Sequence, residues 1–291
     1  MAQLRRRLLF NLITNRRLER GVRRSPTLQR RAYTAARRYV AGETIQDMLG
    51  VIAGLREQGI AASVDFFGEL VADPATAERA TADYVQLAKT LAQVEDVWLA
   101  IDLSHIGLDI SVDTCRRHLA TIVEVLPAGR RIQVGAEDTS RTDPILEVVT
   151  ALAAQGAPLM ATVQANLRRS PQDAARLAAA GVPVRLVKGA YVEPAGLAYP
   201  WGEATDIAFL RLAHQLREAG AAFSLATHDP VLRQALLLAF GPSPVEMLLG
   251  VRPQDAHDLT HRGVQVRCYV PYGPDWFRYW LRRLAESQGT R

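Results

Sequence analysis

Lysine is almost missing from this chain: of its 35 lysines and arginines, only Lys89 and Lys188 are lysine. A genome biased toward arginine codons accounts for the general scarcity. A lysine retained against that bias draws attention, because its ammonium is a compact charge that a guanidinium does not mimic. Cysteine is equally scarce. Cys115 and Cys268 stand far apart, which excludes a disulfide framework and leaves two small packing hydrophobes. The two cysteines show no metal-ligand spacing, and no metal is expected. No apolar run approaches the ~18 residues of a membrane span. The apolar stretch near the start is cut by Asn11, Thr14, Asn15, Arg16 and Arg17, short of the ~7–15 residues of a secretory core. A cytoplasmic protein is expected, with peripheral contact at the inner face of a membrane left open.

The rest of the composition is ordinary. Apolar residues make up 48% and charged residues 22%, which excludes disorder, collagen and coiled coil for the whole chain. The net charge is +5, and it is uneven. Twelve arginines, from Arg5, Arg6 and Arg7 to Arg37 and Arg38, fall within the first forty residues. Such an arm is either a solvated helical face or a grip on an anionic surface. No helix-turn-helix, zinc-finger or RNA-binding motif accompanies it, so nucleic acid is not expected as a partner.

Apolar, β-rich runs recur at 61–67, 97–103, 131–136, 159–164, 184–188, 223–227, 245–249 and 264–270. Several are nearly continuous, as strands covered on both faces should be. Amphipathic stretches at 75–94, 111–125, 144–154, 171–180, 206–219, 230–240, 253–261 and 275–287 follow them. Ser170-Pro171 and Asp229-Pro230 put a cap residue before a proline in the first turn. Strand then helix, eight times over, is the count of an α/β fold of (β/α)8 TIM-barrel type. A further helical segment at 25–57 precedes the first strand. The expected organisation is therefore an arm and helical extension at 1–58 and a barrel at 59–291 that carries the site.

Barrel chemistry collects where strands run out into loops. Those positions form a polar ring: Gly68-Glu69, Asp102 to His105, Glu137-Asp138, Gln164, Lys188 to Tyr191, Thr227 to Asp229, and Tyr269 with Tyr272. Lys188 ends a core-strand run, where an unpaired ammonium costs several kcal/mol. It faces an anion, forms a Schiff base as in a lyase, or pairs with a neighbouring carboxylate such as Glu137. Gly189-Ala190 would let backbone N–H groups approach a phosphate. In the last helix, Arg282 and Arg283 form a pair suited to a carboxylate. Trp276, Phe277, Tyr279 and Trp280 around them indicate a packed helix.

Val184 to Tyr191, Ala226 to Asp229, Tyr269 to Gly273, Arg282 to Glu286 and Val64 to Glu69 resemble, in that family's order, the proline dehydrogenase family of flavoenzymes. The likeness runs from about Ala32 to Glu286. It implies that Arg185 contacts the flavin near its reactive nitrogen and that Gln164 hydrogen-bonds the ring. It implies that Lys188, Gly189, Ala190, Thr227 and His228 hold the pyrophosphate and adenosine side of FAD. Arg282 and Arg283 would clamp the substrate carboxylate, Tyr191 and Tyr269 would line the pocket, and Glu286 would support the arginines. The implied reaction is hydride transfer from L-proline to FAD, giving Δ1-pyrroline-5-carboxylate, with electrons passed on to a quinone.

The chain departs from that pattern at its substrate end. Asp102 stands where the family usually has a lysine, Gly135 where it has an aspartate, and Glu246 where glutamine is usual. With Asp102 ionised, the first two changes make the pocket one unit more negative. That disfavours a carboxylate unless Asp102 pairs with Arg282 or Arg283. Three readings follow: proline oxidation, oxidation of another cyclic or N-substituted amino acid by the same chemistry, or a barrel without redox chemistry, as scaffold or Lys188 lyase.

Overall fold

The computed structural model describes residues 21–22 and 24–287, leaving aside the side chains of 285–287. The basic stretch up to Arg20 therefore lies outside the described residues. Two helices, α1 (Pro26–Ala36) and α2 (Ile45–Glu57), come first. Then strand and helix alternate. The first half holds β1 (Ala61–Phe66), α3 (Pro74–Leu91), β2 (Val97–Ile101), α4 (Val112–Glu124), β3 (Ile132–Val134), α5 (Thr139–Ala153), β4 (Leu159–Gln164) and α6 (Ser170–Ala179). The second holds β5 (Val184–Val187), α7 (Glu203–Glu218), β6 (Phe223–Ala226), α8 (Pro230–Phe240), β7 (Val245–Leu248), α9 (Pro253–His261), β8 (Val266–Tyr272) and α10 (Trp276–Ser287). The eight strands close into one parallel barrel in sequence order, with β1 paired to both β2 and β8. The expected barrel is borne out.

Three local expectations need correction. The helical segment at 25–57 is two helices, because residues 37–44 serve the barrel mouth. Ala41 N–H donates to Pro271 O at 2.9 Å, and Gly273 N–H donates to Gly42 O at 2.9 Å. Helix α5 begins at Thr139, with Pro144 inside it. The proline removes one backbone bond from a turn that side chains already hold: Asp138 accepts from Ser140 N–H, and Glu193 from Thr139 N–H at 2.8 Å. Strand β8 runs on to Tyr272, so Tyr269 lies within the strand.

The main apolar core lies between the strands and the ring of helices, around residues such as Leu99, Leu119, Ile132, Val184 and Phe209. A second cluster joins α1 to α10 through Ala36, Val40, Phe67, Trp276, Phe277 and Leu281. It fixes the last helix over the barrel mouth. Inside the barrel, alternate residues are polar. Glu246 on β7, 3% exposed, accepts from Gln133 Nε2 at 2.8 and 3.0 Å, from Ser224 Oγ at 2.6 Å and from Arg185 Nε at 3.0 Å. Each strand residue faces the opposite way from its neighbour. The runs that looked uniformly apolar therefore turn one side chain in two toward this network.

Candidate active site at the barrel mouth

A cavity of about 1470 Å³ opens at the C-terminal ends of the strands. It exceeds the ~300–1,000 Å³ of an ordinary small-ligand pocket, so it has room for a dinucleotide together with a small substrate. Its walls include Asp102, Gln164, Arg185, Lys188, Gly189, Ala190, Tyr191, Thr227, His228, Tyr269, Arg282 and Arg283, all named as site residues from the sequence. Lys188 and Arg283 thus share one chamber, although 95 residues separate them in the chain. The side chain of Glu286 is not among the described ones.

On one side, Lys188 Nζ lies 2.6 Å from Asp206 Oδ1 and 2.8 Å from Asp229 Oδ2. Its partners are these two carboxylates and not Glu137, which accepts from Ser104 N–H at 2.9 Å and sits 3.7 Å from Arg141. Gly189 has φ +111°, and a Cβ there would lie 2.0 Å from Asn166 Oδ1. The loop is therefore built for glycine, with backbone open to a close ligand. Thr227 Oγ1 accepts from Asp229 N–H at 3.1 Å, which shapes the next loop. Gln164 Nε2 is engaged by Glu137 O at 2.8 Å, while its Oε1 is held only by Ala190 N–H at 3.4 Å.

His228 gives the clearest sign of a missing partner. Leu248 N–H donates to its Nε2 at 3.0 Å, so that nitrogen carries no proton. Burial, with the positive charges of Arg283 and Arg233 adding to it, pushes the imidazole down to about 3. The ring is neutral and its proton sits on Nδ1, which is buried with no hydrogen-bond partner among the described residues. An unsatisfied buried donor is costly unless a ligand acceptor meets it. A cation, a glycine loop and this donor around a large chamber fit a dinucleotide with a pyrophosphate.

On the other side stand the arginines. Arg283 is buried, 4.9 Å over the ring of Tyr279, and Arg282 lies 5.4 Å from the ring centre of Tyr191 and 3.5 Å from Glu69 Oε2. Arg185 is anchored from below by Glu246 and stands 5.6 Å from the ring centre of Tyr269. Tyr269 donates to Asp65 Oδ2 at 2.6 Å. Burial raises the Asp65 carboxyl to about 7, against the pull of the hydrogen bonds from Tyr269 and Tyr84. Tyr191, Tyr269 and the three arginines thus face one another around a small space.

Asp102 corrects two expectations. Among the described residues it forms no ion pair with Arg282 or Arg283, whose guanidiniums are turned to Glu69 and to Tyr279. Its Oδ1 instead lies over Gly135, 1.8 Å from where a Cβ would stand. Its surroundings also disfavour the charge counted from the sequence. Burial, then repulsion from Asp65, Glu137 and Glu69, holds its proton well above the ordinary carboxylate range, with Arg282 opposing. In its protonated form it is a carboxylic acid that can donate a hydrogen bond. The anchoring roles of Glu246, Glu69 and Asp206 escaped the sequence reading. Glu246 was visible only as a departure from the family's glutamine and Glu69 only as a member of the polar ring, while Asp206, in a helix, carried no signal.

The family model for proline dehydrogenase matches residues 48–291. The chain is 34% identical over 276 residues to a proline dehydrogenase of Deinococcus radiodurans, covering 89% of this chain and 88% of that one. It is 32% identical over 260 residues to proline dehydrogenase 1 of Bacillus subtilis, with 86% of each chain covered. Among solved structures, proline utilization A from Bdellovibrio bacteriovorus, inactivated by N-propargylglycine, superposes with a TM-score of 0.82 at 21% identity. That match covers 91% of this chain and 34% of the other, so the chain spans about a third of that larger protein. At this identity the likeness establishes the fold alone.

Proposed function

The chain belongs to the proline dehydrogenase family, and we propose from that premise that its cavity binds FAD and oxidises L-proline to Δ1-pyrroline-5-carboxylate. The observation that carries this reading is the gathering, in one chamber, of an unsatisfied buried His228 donor, Lys188 and the Arg282–Arg283 pair. When bound, FAD supplies the two-electron acceptor for hydride from the carbon beside the proline nitrogen. The residues of the chain do the rest. Lys188, Gly189, Ala190, Thr227 and His228 hold the phosphates and adenosine, while Arg185 and Gln164 face the ring. Arg282 and Arg283 fork onto the substrate carboxylate, and Tyr191 and Tyr269 close the sides. Holding the ring and the donor carbon in register is the main catalytic contribution. The electron acceptor that completes the turnover is a quinone on this reading.

The purified protein is expected to be yellow, and its flavin to bleach anaerobically with proline in preference to pipecolate, hydroxyproline and N-substituted amino acids. A colourless protein that takes up no FAD sinks the proposal. Preference for another substrate retains the flavin and moves the substrate. His228→Leu should lower FAD affinity about tenfold or more, as loss of a charge-assisted bond to phosphate implies. Titration of apoprotein with FAD measures it.

Asp102 sets a pH dependence. Its proton is held above the usual range, so the neutral acid, which accepts a substrate carboxylate beside it, is present at low pH. As pH rises the acid ionises and repels that carboxylate. Dividing kcat/KM of Asp102→Asn by that of the parent cancels groups common to both. That ratio should climb with pH; a flat ratio removes Asp102 from the substrate site.

A further inference from the structure

His257 and His261 stand one turn apart on α9, and their Nε2 atoms are 3.0 Å apart. The ring centres are 4.2 Å apart, with His261 exposed and His257 half-buried. Two metal–nitrogen bonds of about 2.0–2.1 Å place neighbouring ligand nitrogens about 2.9–3.4 Å apart, and the pair already meets that spacing. Histidines at i and i+4 on one helix face form a recurrent pair of metal ligands. We propose that His257 and His261 form a two-point binding site for a late first-row divalent metal ion such as Zn²⁺.

Local chemistry agrees. A 3.0 Å contact between imidazole nitrogens requires a proton on one of them, donated to the lone pair of the other. Moving that proton to the far ring nitrogen frees both lone pairs for a metal, with no net proton released. Asp258 Oδ1 lies 3.8 Å from His257 Nδ1, a negative charge that favours a cation at the pair. His261 ends α9, and the negative end of a helix favours a cation. The next residue, Arg262, has its guanidinium held by Gln234 Oε1 at 3.1 Å. Among the described residues no third protein ligand joins the pair, so water fills the remaining positions. The ion would clip the last turn of α9.

The site is independent of the oxidation chemistry. Neither histidine lines the cavity, and the neighbouring Thr260 packs near Gly59, just before β1, at the opposite end of the barrel. The test is calorimetric titration of Zn²⁺ into the tag-free holoenzyme, alongside His257→Gln, His261→Gln and the double variant. The expected result is one ion per chain, at least tenfold weaker binding in either single variant, and a Zn²⁺-dependent rise in Tm that the double variant lacks. Flavin reduction by proline should be the same in all four proteins. Absence of Zn²⁺ binding, or equal binding by the double variant, overturns the proposal and leaves the reading of the active site intact.

Discussion

Changing Arg282 and Arg283 together to methionine is expected to lower kcat/KM for proline roughly a thousandfold. Each guanidinium offers charge-assisted bonds to the substrate carboxylate, worth roughly 1.5–3 kcal/mol apiece. The carboxylate is the same in ground and transition states, so most of the loss should appear as a higher KM. Arg283 is buried above Tyr279, so truncation also costs packing. Methionine keeps part of the stem, and the flavin spectrum reports whether the cavity survives. Lysine at both positions should restore only a fraction, because an ammonium lacks the planar fork. A variant that retains flavin with an unchanged KM would show that the carboxylate binds elsewhere.

The second large effect concerns Asp102 and Gly135, which act as one unit. A Cβ on residue 135 would meet Asp102 Oδ1 at 1.8 Å, well inside any real contact. Gly135→Asp alone should therefore displace Asp102 and crowd two carboxyls together, lowering both stability and proline turnover. Asp102→Lys clears that space and adds a cation facing Glu69, Glu137 and the substrate. The double variant is expected to raise kcat/KM for proline about tenfold over the parent and to exceed the product of the single effects. Neighbours that share one space are not additive. Proline kinetics for the four proteins form the complete cycle. Additive behaviour, or a double variant no better than its parent, means these positions do not set the preference.

Much of the site was legible because it follows the chain locally. Lys188, Gly189 and Ala190 sit directly after β5, Thr227 and His228 directly after β6, and all five line the chamber. The electrostatics were not legible. Counting formal charges made Asp102 negative, whereas its burial beside Asp65, Glu69 and Glu137 favours the protonated form. Those carboxyls come from β1, from the loop after it and from the segment after β3, and a charge count has no distances in it. The same limit hid the partners of Lys188. Asp206 and Asp229 meet it only because α7 and the end of β6 flank β5 in the closed barrel.

Alternating strand and helix patterns, cap residues and the polar ends of the apolar runs were enough to specify a (β/α)8 barrel and to nominate its mouth. Those are short-range properties: periodicity and capping act within a few residues along the chain. Tertiary structure alone decided which polar groups meet. Barrel closure brings Glu246 under Arg185, leaves the His228 proton without a partner and lays Asp102 across the bare backbone of Gly135. Desolvation and charge coupling depend on the distances that closure creates, and distances between remote residues are not written in sequence order.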